Sequence, residues 1–111
     1  MFTLRLKCAE GWCARAAGLL ICKKLDKNEA LWIHSCRAIH TFGMRYPISV
    51  YFVDKNYRVI SFIPEMKPFR FAWNLKAASV IEMLATDQLE AYKNAIGIEA
   101  LLIGVQSDLV S

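Results

Sequence analysis

Apolar and polar residues follow one another in two different rhythms along this 111-residue chain, and the changes of rhythm outline its elements. Phe2 to Cys8 alternates, the period-two pattern of a half-buried strand. From about Gly11 to Lys23, Trp12, Ala16, Leu19 and Leu20 recur at i, i+4, i+7 and i+8, one face of a helix, although no capping Ser, Thr, Asp or Asn precedes it. Asp26 to Glu29 is a polar loop, and Ala30 to Ile33 is short, apolar and strand-like. The stretch from Ser35 to Pro47 reads as irregular, with Gly43 and Pro47 as breakers.

The strongest local signal comes next. Ile48–Val53 and Tyr57–Ile63 are rich in β-branched and aromatic residues and flank Asp54-Lys55-Asn56. A β-hairpin is expected there, turning at Lys55-Asn56 with Asn56 in the left-handed conformation and ended by Pro64 and Pro68. Ser79–Ala85 reads as another strand. Thr86 is the expected N-cap of a short helix running to about Ala95 and stopped by Gly97. Ile98–Val105 then reads as a closing strand, with Gln106 to Ser111 fraying. The order β-α-β-β-β-β-α-β lacks the strand–helix alternation of a doubly wound sheet. The expected fold is therefore a mostly β (α+β) single domain over residues 1–111: a compact antiparallel barrel or sandwich with two short helices.

Composition narrows the class. Apolar residues make up 56% of the chain, which excludes an intrinsically unfolded one. No apolar run approaches the ~20 residues of a membrane helix. The N-terminal residues lack the pattern of a signal peptide, so the expected location is the cytoplasm. Cys8, Cys13, Cys22 and Cys36 form no C-x-x-C pair and are expected to be free thiols. The net charge of +4 is uneven: residues 1–76 hold 13 Lys and Arg against five acids, while residues 77–111 hold Lys93 against five. Such asymmetry can mark a face for anions, but a chance distribution is the favoured reading.

Three groupings could carry chemistry. Cys36, His40 and Met44 recur at steps of four, with His34 nearby, and their soft donors would suit copper; a packed Cys and Met beside a hydrogen-bonded histidine is favoured. His40 and Thr41 with Arg15 and Arg45 could hold an anionic group, although both arginines could instead neutralise a carboxylate such as Glu82, which alternates with Val80 and Leu84. Lys67-Pro-Phe-Arg-Phe-Ala-Trp-Asn-Leu-Lys76 interleaves cations with aromatics, as a base-stacking or membrane-dipping loop would; the favoured reading has Phe69, Phe71 and Trp73 capping the core. No phosphate loop, serine elbow or zinc-protease pair is present, and a Cys36–His40 nucleophilic pair is a minor alternative. The resulting expectation is a non-enzymatic small-ligand-binding or accessory domain with a pocket near His40. Its candidate residues are Arg15, Cys36, His40, Thr41, Met44 and Arg45. A small anionic ligand is its expected partner and nucleic acid is disfavoured; no metal or cofactor is expected, and the chain is read as a monomer or weak homodimer.

Several landmarks occur in a recognisable order: Arg15-Ala-Ala-Gly-Leu-Leu20, Ala30-Leu-Trp-Ile-His-Ser-Cys36, Ile39-His-Thr-Phe-Gly-Met-Arg-Tyr-Pro-Ile48, Phe52-Val-Asp54, Arg58-Val59 and Ala78-Ser-Val-Ile-Glu82. Through them the chain, from about residue 3 to 105, resembles the family called domain of unknown function 192. That resemblance implies a compact, mostly β, bacterial domain of unestablished role. The chain departs from the family pattern where an aspartate after Pro-Ile is Ser49, where Gly-Arg after Gly-Leu-Leu is Ile21-Cys22-Lys23, around Thr86-Asp87, and near Gly97-Ile-Glu99, where the closing Gly-Asp is missing.

Overall fold

A computed structural model describes residues 5–9, 25–41 and 46–110. The expected first helix, with Arg15, and the candidate residues Met44 and Arg45 lie outside the described residues. Within them run seven strands and one helix: β1 (Arg5–Ala9), β2 (Glu29–His34), β3 (Ala38–His40), β4 (Ile48–Val53), β5 (Val59–Met66), β6 (Phe71–Trp73), β7 (Ser79–Leu84) and α1 (Gln88–Val110).

Five strands form one sheet in the order β1-β2-β7-β4-β5, while β3 and β6 pair as a separate ribbon. Among the described residues β1 and β5 are the sheet's edges, so of the expected barrel or sandwich the closed barrel does not form. Its pairs are antiparallel except β1 with β2, which run parallel. The fold is mostly β with one helix among the described residues, and its element order differs from the expected one.

Alternation along β7 separates two cores. Ile81 and Met83 point to one face, where Ala91, Ala95, Ile98 and Leu102 of α1 cover them together with Tyr51 and Val53. Val80 points to the other face, where it meets Ile33, Val50 and Phe52 of the sheet and Ile39 of β3, with Ala72 of β6 packed alongside. The order of layers is thus helix, sheet, ribbon.

The helix is where expectation and structure differ most. It begins one residue later than expected: Asp87, not Thr86, is its cap, its carboxylate accepting the Glu90 amide at 2.8 Å. Gly97 does not stop it, and Ile98–Val105 is helix rather than strand. The helix continues through the residues expected to fray, as far as Val110. A glycine inside a helix costs about 1 kcal/mol relative to alanine. Burial of Ile98 and Leu102, which continue the Ala91–Ala95 stripe one and two turns on, outweighs that cost.

The β4–β5 hairpin forms with three corrections. Its left-handed residue is Tyr57 (φ 64°), not Asn56, because the Asp54 side chain accepts the amides of Asn56 and Arg58 (2.8 and 3.0 Å) and sets the turn. Strand β5 starts at Val59 rather than Tyr57. It also runs through Pro64 instead of ending there, which an edge strand permits. A register shift between Ile48 and Val50 falls where the buried Ser49 hydroxyl donates to the Pro64 carbonyl at 2.6 Å. The serine hydroxyl at this departure from the family pattern can donate at any pH, whereas an aspartate there could do so only when protonated.

Candidate binding surface

The segment expected to be irregular contains β3, and the expected loop over residues 67–76 contains β6. Ala38 pairs with Trp73, Ile39 with Ala72 and His40 with Phe71. Ile39 and Ala72 turn inward onto the sheet, the small Ala72 side chain allowing a close approach, and alternation sends their neighbours outward. Phe71 and Trp73 therefore stand in water, 55% and 63% exposed, with Phe69 (66%) before them and Leu75 (75%) after. They do not cap the core as expected. The Phe71 and Trp73 rings lean on one another at 5.6 Å and 44°.

Thr41 holds this arrangement from beneath. It is fully buried, its amide donates to the Arg70 carbonyl (2.9 Å), and its own carbonyl accepts the Phe69 amide (3.1 Å). Its hydroxyl donates to the Lys67 carbonyl at 2.6 Å and accepts the Arg70 amide at 2.8 Å. Phe69, between those anchors, is held at φ 63°, a conformation uncommon for a bulky side chain. At the other end the Asn74 amide donates to the Arg37 carbonyl (2.9 Å), and its side chain donates to the Ser61 hydroxyl (3.0 Å). Arg37, Lys67, Arg70 and Lys76 are all exposed, and no ion pair involves them among the described residues.

Of the sequence-derived candidates, His40 lies half-buried on this ribbon, opposite Phe71, and Thr41 lies under it with its hydroxyl already bonded. Cys36 goes elsewhere. Ser35 adopts φ 53°, and the turn sends Cys36 into the core between sheet and ribbon, its thiol donating to the Ala38 carbonyl at 3.0 Å. His34 stacks on Trp32 (4.2 Å) toward the helix side of the sheet, so His34 and Cys36 face opposite ways. No group of three or more His, Cys, Asp or Glu placed to hold a metal ion occurs among the described residues. An open hollow of about 570 Å³, lined by Ser35, Cys36, Arg37, Ala38 and Ala78, adjoins the Trp73 end of the ribbon.

Glu82 lies on the ribbon-facing side of β7, paired with Leu31 and Val50, and has no hydrogen bond or ion pair among the described residues. Burial pushes its carboxyl up to about 7. Tyr51, on the helix side, is also pushed up by burial, an effect opposed by the Asn94 amide that donates to its hydroxyl at 3.1 Å. The signal for this exposed surface was present in the sequence as the odd-numbered run 69, 71, 73, 75. An exposed apolar run and a buried one look alike in composition, so the sequence did not reveal its exposure.

Among the described residues no helix is long and apolar enough to cross a membrane. No curated protein matches the chain. A solved structure of a protein of unknown function from Novosphingobium aromaticivorans is similar at 16% identity and a TM-score of 0.68, over 79% of this chain and 68% of that one. At that identity the likeness speaks for the fold. The model of the uncharacterised family called domain of unknown function 192, described as an uncharacterized ACR, matches residues 2–98, and the chain belongs to that family.

Proposed function

We propose that this domain is a non-enzymatic binding module that takes an anionic partner on the outer face of the β3–β6 ribbon, beside His40. The reading keeps the expected neighbourhood and moves the contact from a pocket to a surface. One observation carries it: within one short segment Phe69, Phe71, Trp73 and Leu75 are all exposed, Phe71 and Trp73 leaning on one another, and exposed Lys67, Arg70 and Lys76 are interleaved with them, with Arg37 beside β3. Scattered surface apolar residues need no explanation, but four large ones in one short segment interleaved with exposed cations are a recognition feature. Buried hydrogen bonds at Thr41 maintain it and keep Phe69 in an unfavourable backbone region, a cost of about 1–3 kcal/mol that core packing does not require. The hollow beside Arg37 extends the cationic surface at the Trp73 end.

Amide chemical shifts, followed while inorganic phosphate, a single-stranded oligonucleotide or anionic bicelles are added in turn, test this reading. At least one probe should move residues 37–41 and 67–76 more than the rest of the sheet. If none does, the ribbon is not a binding surface.

A further inference from the structure

Resting on that reading of the ribbon, we propose that its partner is the surface of an anionic lipid bilayer, into which Phe69, Phe71, Trp73 and Leu75 insert shallowly while the flanking cations meet the headgroups. Three observations favour lipid over other polyanions. The first is the shape of the aromatic pair. Phe71 and Trp73 lean together at 5.6 Å and 44°, leaving no slot between them for a flat base, and Leu75 has no π face to stack on. A bilayer interface asks for neither; it takes aromatic and aliphatic tips alike and favours tryptophan at headgroup depth.

The second concerns the backbone. A segment entering the interface must keep its amides and carbonyls bonded. The ribbon does so by β3–β6 pairing, by the Thr41 bonds to Lys67, Phe69 and Arg70, and by Asn74, whose carbonyl accepts the Ala77 amide while its side chain accepts the Lys76 amide, both at 3.0 Å. The third is the charge of the ribbon itself. The ribbon segment from Met66 to Ala78 carries three exposed cations, Lys67, Arg70 and Lys76, and no acid, with Arg37 beside β3 and Glu65 the nearest exposed acid along the chain, whereas the helix carries Glu90 and Glu99 against Lys93 and is preceded by Asp87. That local positive charge draws the ribbon toward a negative surface.

The full chain should co-sediment with vesicles that contain phosphatidylglycerol and far less with phosphatidylcholine alone. Quenching by brominated lipid should be strong in the wild type and largely lost in Trp73→Phe. Phe71→Ser with Trp73→Ser should abolish vesicle binding, and each of Arg70→Gln and Lys76→Gln should weaken it roughly fivefold. All four positions are exposed, so unchanged melting temperatures will show that the variants fold. Absence of binding to phosphatidylglycerol vesicles, or binding that these substitutions leave untouched, would overturn the proposal. Binding of a random oligonucleotide through the ribbon without vesicle binding would overturn the lipid assignment and leave the ribbon reading standing. Binding of neither, with phosphate also inert, would overturn both.

Discussion

The two faces of the central sheet are finished by different means. On the helix face, α1 lays four residues of one stripe across Tyr51, Val53, Ile81 and Met83, and the buried polar pair there, Tyr51 and Asn94, bond to one another. On the ribbon face, the cover includes two strands of three residues each that contribute Ile39 and Ala72, and an acid, Glu82, sits among apolar neighbours without a described partner. The ribbon directs its largest side chains away from the core. A layer built for stability would do the reverse, turning Phe71 and Trp73 inward and leaving Ala72 in water. Both faces thus bury an apolar core, but the helix lays its buried stripe over its own, while the ribbon face also carries the candidate contact surface.

Mutation can break that contrast. Ile98→Ala removes a fully buried side chain from the helix face and should cost about 2–5 kcal/mol. For a domain of this size that lowers the melting temperature by roughly 4–8 °C for each kcal/mol, readable by calorimetry or thermal circular dichroism. A loss below about 1 kcal/mol would mean that α1 is a loosely attached layer and the contrast fails.

Glu82 tests the other face through pH. Its carboxyl titrates near 4.5 when unperturbed and near 7 in the fold. Between those values the folded state holds a proton that the unfolded state has released. The contribution is thus fully present below 4.5 and is lost as pH rises through 7. The loss is about 3 kcal/mol, from the pKa difference at 1.36 kcal/mol per unit. Glu82→Gln should flatten this dependence and be the more stable protein at pH values above 7. Equal pH profiles for the two proteins would show that Glu82 is ionised and compensated in the fold.

Thr41→Val keeps the shape beneath the ribbon and removes the hydroxyl. The Lys67 carbonyl and Arg70 amide then lose a partner, a cost of about 1–3 kcal/mol. Hydrogen exchange at Arg70 should quicken while exchange in α1 stays slow. Uniform acceleration across the chain would mean that ribbon and helix open together rather than separately.

The legibility of the chain follows the same division. The β4–β5 hairpin, β2 and β7 were readable because their residues are buried on both faces or alternate strongly, and β-branched runs say so directly. The second half of α1 was not readable. Leu89, Tyr92, Ile96 and Ile103 leave its outer side apolar as well, so Ile98–Val105 has no polar face from which to recognise a helical period. Strands β3 and β6 were missed because three residues each cannot establish an alternation, and their pairing joins segments more than thirty residues apart. At the candidate site, His40 and Thr41 were identified by position, but their roles depend on which face of a short strand each occupies. The aromatic run was visible and its direction was not, since burial is set by the partner strand.

The smallest expected effect bears most directly on the contrast. Trp73→Ser removes the largest side chain of the ribbon, and in a core position such a change would cost about 3–5 kcal/mol. Here the ring is mostly in water, and among the described residues the ring it leans on is that of Phe71, itself exposed. Ala38, its cross-strand partner, keeps its backbone bonds whatever side chain stands opposite. The expected change in unfolding free energy is therefore within about 0.5 kcal/mol, the range of surface substitutions away from special features. Urea unfolding of this variant beside Ile98→Ala decides the matter, because both proteins can be measured by the same far-ultraviolet signal. A cost above about 2 kcal/mol for Trp73→Ser would mean that the ribbon's outer face is structural, and that its exposed aromatics support the fold rather than await a partner.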